Sequence, residues 1–286
     1  MKKTIFGFAA LMSAVVLAAC GGGGTDTSGN NSGGNGNNKE ELTFPIATKN
    51  NDDAIEDGEL EAAVATDSQF KGLFQWEFYQ DSYDAAFMAP SHEPLFANDD
   101  DFRITDDGAA TLDLDEDTKK ATIKVKDNVK WSDGEDVTAD DVIFPYEIIG
   151  NKDYTGIRYD DTFRNIVGME EYHDGSADTI SGIKKIDDKT VEIEYKEVNP
   201  SMLQSGGGIW SYAAPKHTLE GVAIKDMESS DQVRKNPVTF GPYYMSNIVA
   251  GESVEYLPNE HYWNGTPKLK KITMKSVPMA SATDRK

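Results

Sequence analysis

One cysteine in 286 residues forbids any internal disulfide, so whatever this chain folds into must be held by packing and hydrogen bonds alone. The composition allows that: 38% of residues are hydrophobic and 27% are charged, as in an ordinary globular protein. The formal charge of −22 sets a second limit, because such a surface repels phosphate backbones and anionic head groups. Nucleic acid is therefore not expected as a partner. The acids gather at Asp99 to Asp117 and at Asp133 to Asp141, a pattern of solvated loops. Asp113, Asp115 and Asp117 do not make a calcium loop, since Thr118 stands where glycine is needed and Lys124 where the bidentate glutamate belongs.

The position of that cysteine is informative. Lys2 and Lys3 precede a mostly apolar run from Ile5 to Leu17, followed by Ala18, Ala19 and Cys20, which is the layout of a secretory signal peptide over 1–19. The run is about 13 residues, short of the roughly 20 a spanning helix needs. Leu17-Ala18-Ala19-Cys20 resembles the lipobox of bacterial lipoproteins, and the resemblance implies lipidation of Cys20. Residues 21–38 contain only Gly, Thr, Asp, Ser and Asn. Such a segment cannot bury a face and would act as a flexible tether of about 23 Å root-mean-square span. Export, with lipid anchoring at the outer face of a membrane or in a periplasm, is the expectation.

Beyond the tether, Leu60, Ala62 and Val64 alternate as in a short strand, while Ala85 to Leu95, interrupted by Pro90 and Pro94, gives no clear period. Thr122, Lys124 and Lys126 alternate with Ile123 and Val125, predicting a strand with one wet face. Trp131-Ser132-Asp133-Gly134 predicts a tight turn. A helix is predicted next, with Thr138 as N-cap, Asp140 and Asp141 in its first turn, Val142, Tyr146 and Ile149 on one side and Gly150 at its end. Pro145 lies inside it, predicting a kink or a break. Ile183 to Ile186 and Val191, Ile193, Tyr195 read as a hairpin turning at Asp187-Asp188, and two strands flank Ala250-Gly251 before a last one at KKITMKSVP.

Three segments carry a resemblance. ATIKVKDNVKWSDGEDVTADDVIF, IKKIDDKTVEIEYKEVNPSML and NPVTFGPYYMSNIVAGESVEYLPNEHYWNGTPKLKKITMKSVP, in this order, are similar to segments of the family 5 extracellular solute-binding proteins, the oligopeptide-binding lipoproteins of ABC importers. The likeness spans roughly 55–286. Thr239-Phe240 precede Gly241 where the family usually has a further glycine. The resemblance implies a mixed α/β fold of the periplasmic-binding-protein type II, peptide-binding class. It implies a first lobe built from a discontinuous main subdomain, 39–96 plus 216–286, and an inserted subdomain, 97–215. It also leads to the expectation that the second lobe is absent, through truncation, a split gene or a partial sequence. The implied function is capture of oligopeptides and their delivery to a permease by a membrane-tethered monomer that uses no cofactor.

Trp131, Asp133, Gly134, Gly241, Pro242, Tyr243, Tyr262 and Trp263 are the signature positions, and they read as turn and packing elements. Candidates for ligand contact are Phe74, Trp76 and Phe78 in GLFQWEFY, Tyr154, Arg158 and Tyr159 in KDYTGIRYDD, and Trp210 and Tyr212 in GGGIWSY. Aromatic rings offer broad contact, and an arginine can pair with a peptide carboxylate. Two other classes have weaker grounds. A metal or haem binder on the same fold would use His217 or His261, although His92, His173, His217 and His261 are widely scattered and no metal site is predicted. A hydrolase has no Gly-x-Ser-x-Gly, His-Glu-x-x-His or Cys-x-x-Cys to support it, so no catalytic residue is assigned.

Overall fold

The computed structural model describes residues 57–279. The expected signal peptide, Cys20 and the expected tether therefore lie outside the described residues, as does the start of the expected first subdomain. Among the described residues no helix is long and apolar enough to cross a membrane.

Two four-stranded sheets form the frame. The first joins the two ends of the described chain: β1 (Glu59–Thr66) pairs in parallel with the last strand, β10 (Lys271–Pro278), in register Glu59 to Lys271. Antiparallel pairing then adds β9 (Ser253–Pro258) and β8 (Tyr243–Val249), giving the order β1-β10-β9-β8. The β8–β9 hairpin turns at the predicted place, where Gly251 takes φ +72°. A short ladder of β2 (Ala97–Asn98) and β3 (Ile104–Thr105) stands apart.

The second sheet is all antiparallel, ordered β4-β5-β7-β6, from β4 (Ala110–Asp115), β5 (Lys120–Val125), β6 (Ile183–Lys185) and β7 (Thr190–Glu194). Here the predicted alternation becomes a core face. Ile123, Val125, Val191 and Ile193 are fully buried, while Lys120 and Glu192 form a 2.9 Å ion pair on the other face.

Helix α1 (Ser82–Met88) runs into the first residues of the stretch that the sequence left without a period; the Asp81 carboxylate caps it by accepting from the amides of Tyr83 and Asp84. Helix α2 (Ala139–Gly150) packs across β6 and β7. Its start, its end and its buried side match the expectation. Pro145, however, does not break it: the helix runs through, and the Asp141 carbonyl that the proline cannot reach accepts instead from the Ala214 amide at 3.0 Å. A tertiary partner thus satisfies the group that the proline frees.

Three apolar clusters result. The largest lies between α2 and the second sheet around Trp131 and Tyr146. Another lies under the first sheet and includes Phe74, Phe87, Tyr243 and Tyr256. A third gathers Phe78, Phe144, Ile148, Leu219 and Val233.

Candidate functional site

The signature residues come first, because they place everything else. Trp131 is 1% exposed, and Gly134 closes its turn with φ +95°, its amide donating a hydrogen bond to the Trp131 carbonyl at 3.0 Å. Asp133 accepts from the Glu135 amide and, at 2.8 Å, partners His217 Nε2. The turn reaches the second signature directly: the Ser132 amide donates to the Thr239 carbonyl at 2.7 Å, and Phe240 meets the Trp131 ring edge-on at 5.4 Å.

Gly241 presses against Ser91, where a Cβ would fall 2.3 Å from the Ser91 carbonyl oxygen. Its own carbonyl accepts from the Asn259 side chain, the Pro242 carbonyl accepts from the Asn259 amide, and the Tyr243 hydroxyl accepts from the Leu269 amide. Trp263 lies under Lys126, 4.9 Å from ring centre to Nζ, with Tyr262 beside it. All eight thus stand in tight turns, close backbone contacts or packed rings.

Between them lies an aromatic face. The turn at 75–79, closed by the amides of Phe78 and Tyr79 on the Gln75 carbonyl, is pinned at both ends because Phe74 enters one core and Phe78 another. Both phenylalanines are fully buried, so their candidacy for ligand contact is corrected: each is worth about 1.5–3 kcal/mol as core and offers no surface. Their burial holds the intervening Trp76 half-exposed. Trp76 stacks on Tyr212 at 4.2 Å and 20°, Tyr79 meets Trp76 edge-on at 5.1 Å, and Trp210 meets Tyr212 at 5.6 Å.

Arg158 completes the face. Its guanidinium lies 4.3 Å from the Tyr79 ring centre, Nη2 donates to the Tyr79 carbonyl at 3.2 Å, and Nε has no partner within the protein. Tyr154 donates to the Glu77 carbonyl and accepts from the Arg158 amide at 3.4 Å. Tyr159 stands elsewhere, stacked on His173 at 3.7 Å and covered by Arg164. Five of the eight candidates, Trp76, Tyr154, Arg158, Trp210 and Tyr212, are thus brought together.

At the centre is a residue the sequence reading passed over. Glu77 is fully buried, and its carboxylate accepts from Gln75 Nε2 at 2.7 Å and from Trp210 Nε1 at 3.3 Å. Burial pushes its carboxyl up to about 7, against the opposing pull of Gln75, Trp210 and Arg158. The available signal was a single acid inside the apolar run GLFQWEFY. Tyr79 was missed for a related reason, since nothing in its neighbourhood marks it as half-exposed.

Metal ligation has little to work with. Among the described residues no group of three or more His, Cys, Asp or Glu is placed to hold an ion. His92 is buried between Ser91 Oγ and the Phe74 carbonyl, and burial pushes it down to about 4, so it is neutral.

The frame and face can be set beside known proteins. Over residues 103–286 the chain matches the family described as "Bacterial extracellular solute-binding proteins, family 5 Middle". The oligopeptide-binding protein OppA of Lactococcus lactis subsp. lactis is 38% identical over 245 residues, covering 84% of this chain and 41% of that protein. A solved structure of lactococcal OppA, complexed with an endogenous peptide in the closed conformation, superposes with a TM-score of 0.76 at 39% identity over 79% of this chain and 43% of that one. The oligopeptide-binding protein AppA of Bacillus subtilis, in complex with a nonapeptide, shares the fold at 24% identity with a TM-score of 0.65, covering 80% of this chain and 42% of that one. The chain spans about two fifths of the length of these relatives. Its architecture is the mixed α/β one of the peptide-binding class of periplasmic binding proteins, and the chain belongs to family 5 of the bacterial extracellular solute-binding proteins.

Proposed function

We propose that the described residues form one wall of a binding site for oligopeptides, in the solute-binding component of an ABC importer. The observation that carries this reading is the half-buried aromatic face ending in the Arg158 guanidinium. Stacked rings accept peptide side chains of many shapes, and a guanidinium suits a carboxylate. In support, the relatives are oligopeptide binders by name, and one solved relative holds a peptide. An extended peptide would be gripped through its main chain, with its side chains in wet pockets, so that binding tolerates many sequences. Ligand-driven closure would then present the loaded form to the permease. Binding, with no catalysis and no cofactor, is the whole of the activity.

Two further parts of the reading are proposals of the same kind. Cys20 carries a lipid that holds a monomeric protein at the cell exterior, several acyl chains adding about 0.8 kcal/mol per buried CH₂. The division into 39–96 with 216–286 and 97–215 is supported by the two sheets, one drawn from residues 59–66 and 243–278 and the other from 110–194. Saturation-transfer NMR, which detects weak binding, tests the ligand class with a casein-derived peptide pool. Transfer to peptides, reduced in Arg158→Ala, is expected; binding of Ni²⁺ or haem by calorimetry with no transfer to any peptide would refute it.

A further inference from the structure

We infer that Glu77 is the positioning residue of the aromatic face: its buried carboxyl holds Trp210 and opposes the charge of Arg158, so the face changes with the proton on Glu77. The inference rests on the peptide-binding reading for its functional half only.

The geometry is that of a hub. Glu77 itself touches no solvent, yet three segments distant in sequence converge on it. From its own turn come Gln75 Nε2, which donates to the carboxylate at 2.7 Å, and Tyr79, whose ring and carbonyl hold Arg158. From the segment after α2 come Tyr154, bonded to the Glu77 carbonyl, and Arg158, whose charge bears on the carboxylate. From 210–212 come the Trp210 indole, at 3.3 Å, and Tyr212, stacked on Trp76.

Of the groups bonded to this centre Glu77 alone changes near neutrality; Glu93, whose carboxyl burial also raises to about 7, lines a cavity with Gln75, Trp76 and His92 and faces Tyr262 and Trp263. Burial raises the Tyr154 phenol and raises that of Tyr212 to about 12, so both stay neutral. His92, on the far side of Trp76, is held neutral by burial. Glu228 bears on Tyr154 from outside and bonds Thr155.

The two states differ in what they offer a ligand. With Glu77 ionised, Trp210 has a charged acceptor and part of the Arg158 field is cancelled. With Glu77 protonated, its hold on Trp210 weakens to a neutral hydrogen bond, and Arg158 presents its full charge. A ligand carboxylate should therefore bind better on the acid side of Glu77 ionisation, and a ligand without one should not respond.

The experiment follows the indole resonances of the ¹⁵N-labelled protein from pH 5.5 to 8.5, with Trp210 assigned through Trp210→Phe. The Trp210 signal is expected to move with a midpoint near 7 in the wild type and to stay still in Glu77→Gln. In parallel, saturation transfer to penta-alanine with a free C-terminus should be several-fold stronger at pH 6 than at pH 8. That difference should vanish in Glu77→Gln and for the amidated peptide. A Trp210 signal that does not move in the wild type overturns the inference even if Glu77→Gln fails to fold, and so does equal movement in a folded Glu77→Gln. If Trp210 titrates as expected and neither peptide gives a signal at any pH, the role of Glu77 stands and the peptide-binding reading falls.

Discussion

Asp141 is 4% exposed and its carboxylate is the most connected group in the frame. One oxygen, Oδ2, accepts from the Thr138 amide at 2.8 Å, the Thr138 hydroxyl at 3.0 Å and Trp131 Nε1 at 3.3 Å; the other, Oδ1, accepts from the Lys216 amide at 2.9 Å. Asp141→Asn keeps the shape but supplies only one oxygen. Whichever way the amide turns, either the Lys216 amide or the Thr138 and Trp131 donors face an NH₂. A buried donor left without an acceptor costs about 1–3 kcal/mol, and the charge-assisted character of these bonds is lost as well. A destabilisation of about 2–3 kcal/mol is expected for Asn, and about 4–5 kcal/mol for Ala, which orphans every donor and opens space. Urea unfolding followed by tryptophan fluorescence and far-ultraviolet dichroism measures both. A loss below about 0.5 kcal/mol for Asn, with an unchanged denaturant slope, would refute the claim that the charged acceptor, rather than its volume, is what the turn and helix require.

Gly241→Ala should destabilise the protein severely or leave it insoluble, because the new Cβ would sit 2.3 Å from a backbone oxygen that cannot move without Ser91; near-native thermal stability would show that the contact yields. Stability should also fall as pH rises from about 4.5 to 7. Burial raises the Glu77 and Glu93 carboxyls to about 7, so the unfolded chain gives up these protons first; the advantage is full below about 4.5, declines toward 7 and is absent above. For Glu77 the effect is about 3 kcal/mol at most, and thermal melts of Glu77→Gln should show a correspondingly flatter profile; an equally steep one would assign the slope to other groups. Cys20→Ser should release the protein from the membrane fraction into the medium or periplasm, and retention after the change would rule out the lipid anchor.

The frame was legible where the backbone is locally constrained. Thr138 with Asp141, the glycine after Trp131-Ser132-Asp133, and the alternation through Ile123 and Val191 are each decided within a few residues, and each came out in the structure. What could not be read is decided across distance. Helix α1 has seven residues and depends on Asp84 binding the Gly72 amide at 2.8 Å, which no periodicity announces. Pro145 leaves α2 intact only because Ala214, far along the chain, takes up the freed carbonyl. The same limit explains the candidate site. Phe74 and Phe78 look like the exposed aromatics beside them, and only the two cores that receive them tell them apart from Trp76.

The signatures and the face are distinct, yet one depends on the other. Asp141, from the first signature, binds Ala214 through its carbonyl and Lys216 through its carboxylate, and so fixes the segment that carries Trp210 and Tyr212. Gly241, from the second, locks Ser91; the neighbouring His92 binds the Phe74 carbonyl through Nε2 at 2.9 Å and steadies the turn that carries Trp76 and Glu77. Two rigid struts thus set the opposing halves of one aromatic stack, Trp76 from one side and Tyr212 from the other. A ring pair at 4.2 Å tolerates little relative movement before its contact is lost, so precision at the face has to be imposed from the frame behind it. Asp141→Asn should therefore disturb the Trp210 indole resonance as well as global stability, although Asp141 touches neither Trp210 nor any ligand. An unshifted Trp210 signal in a folded Asp141→Asn protein would mean that the face is held by Glu77 and its neighbours alone.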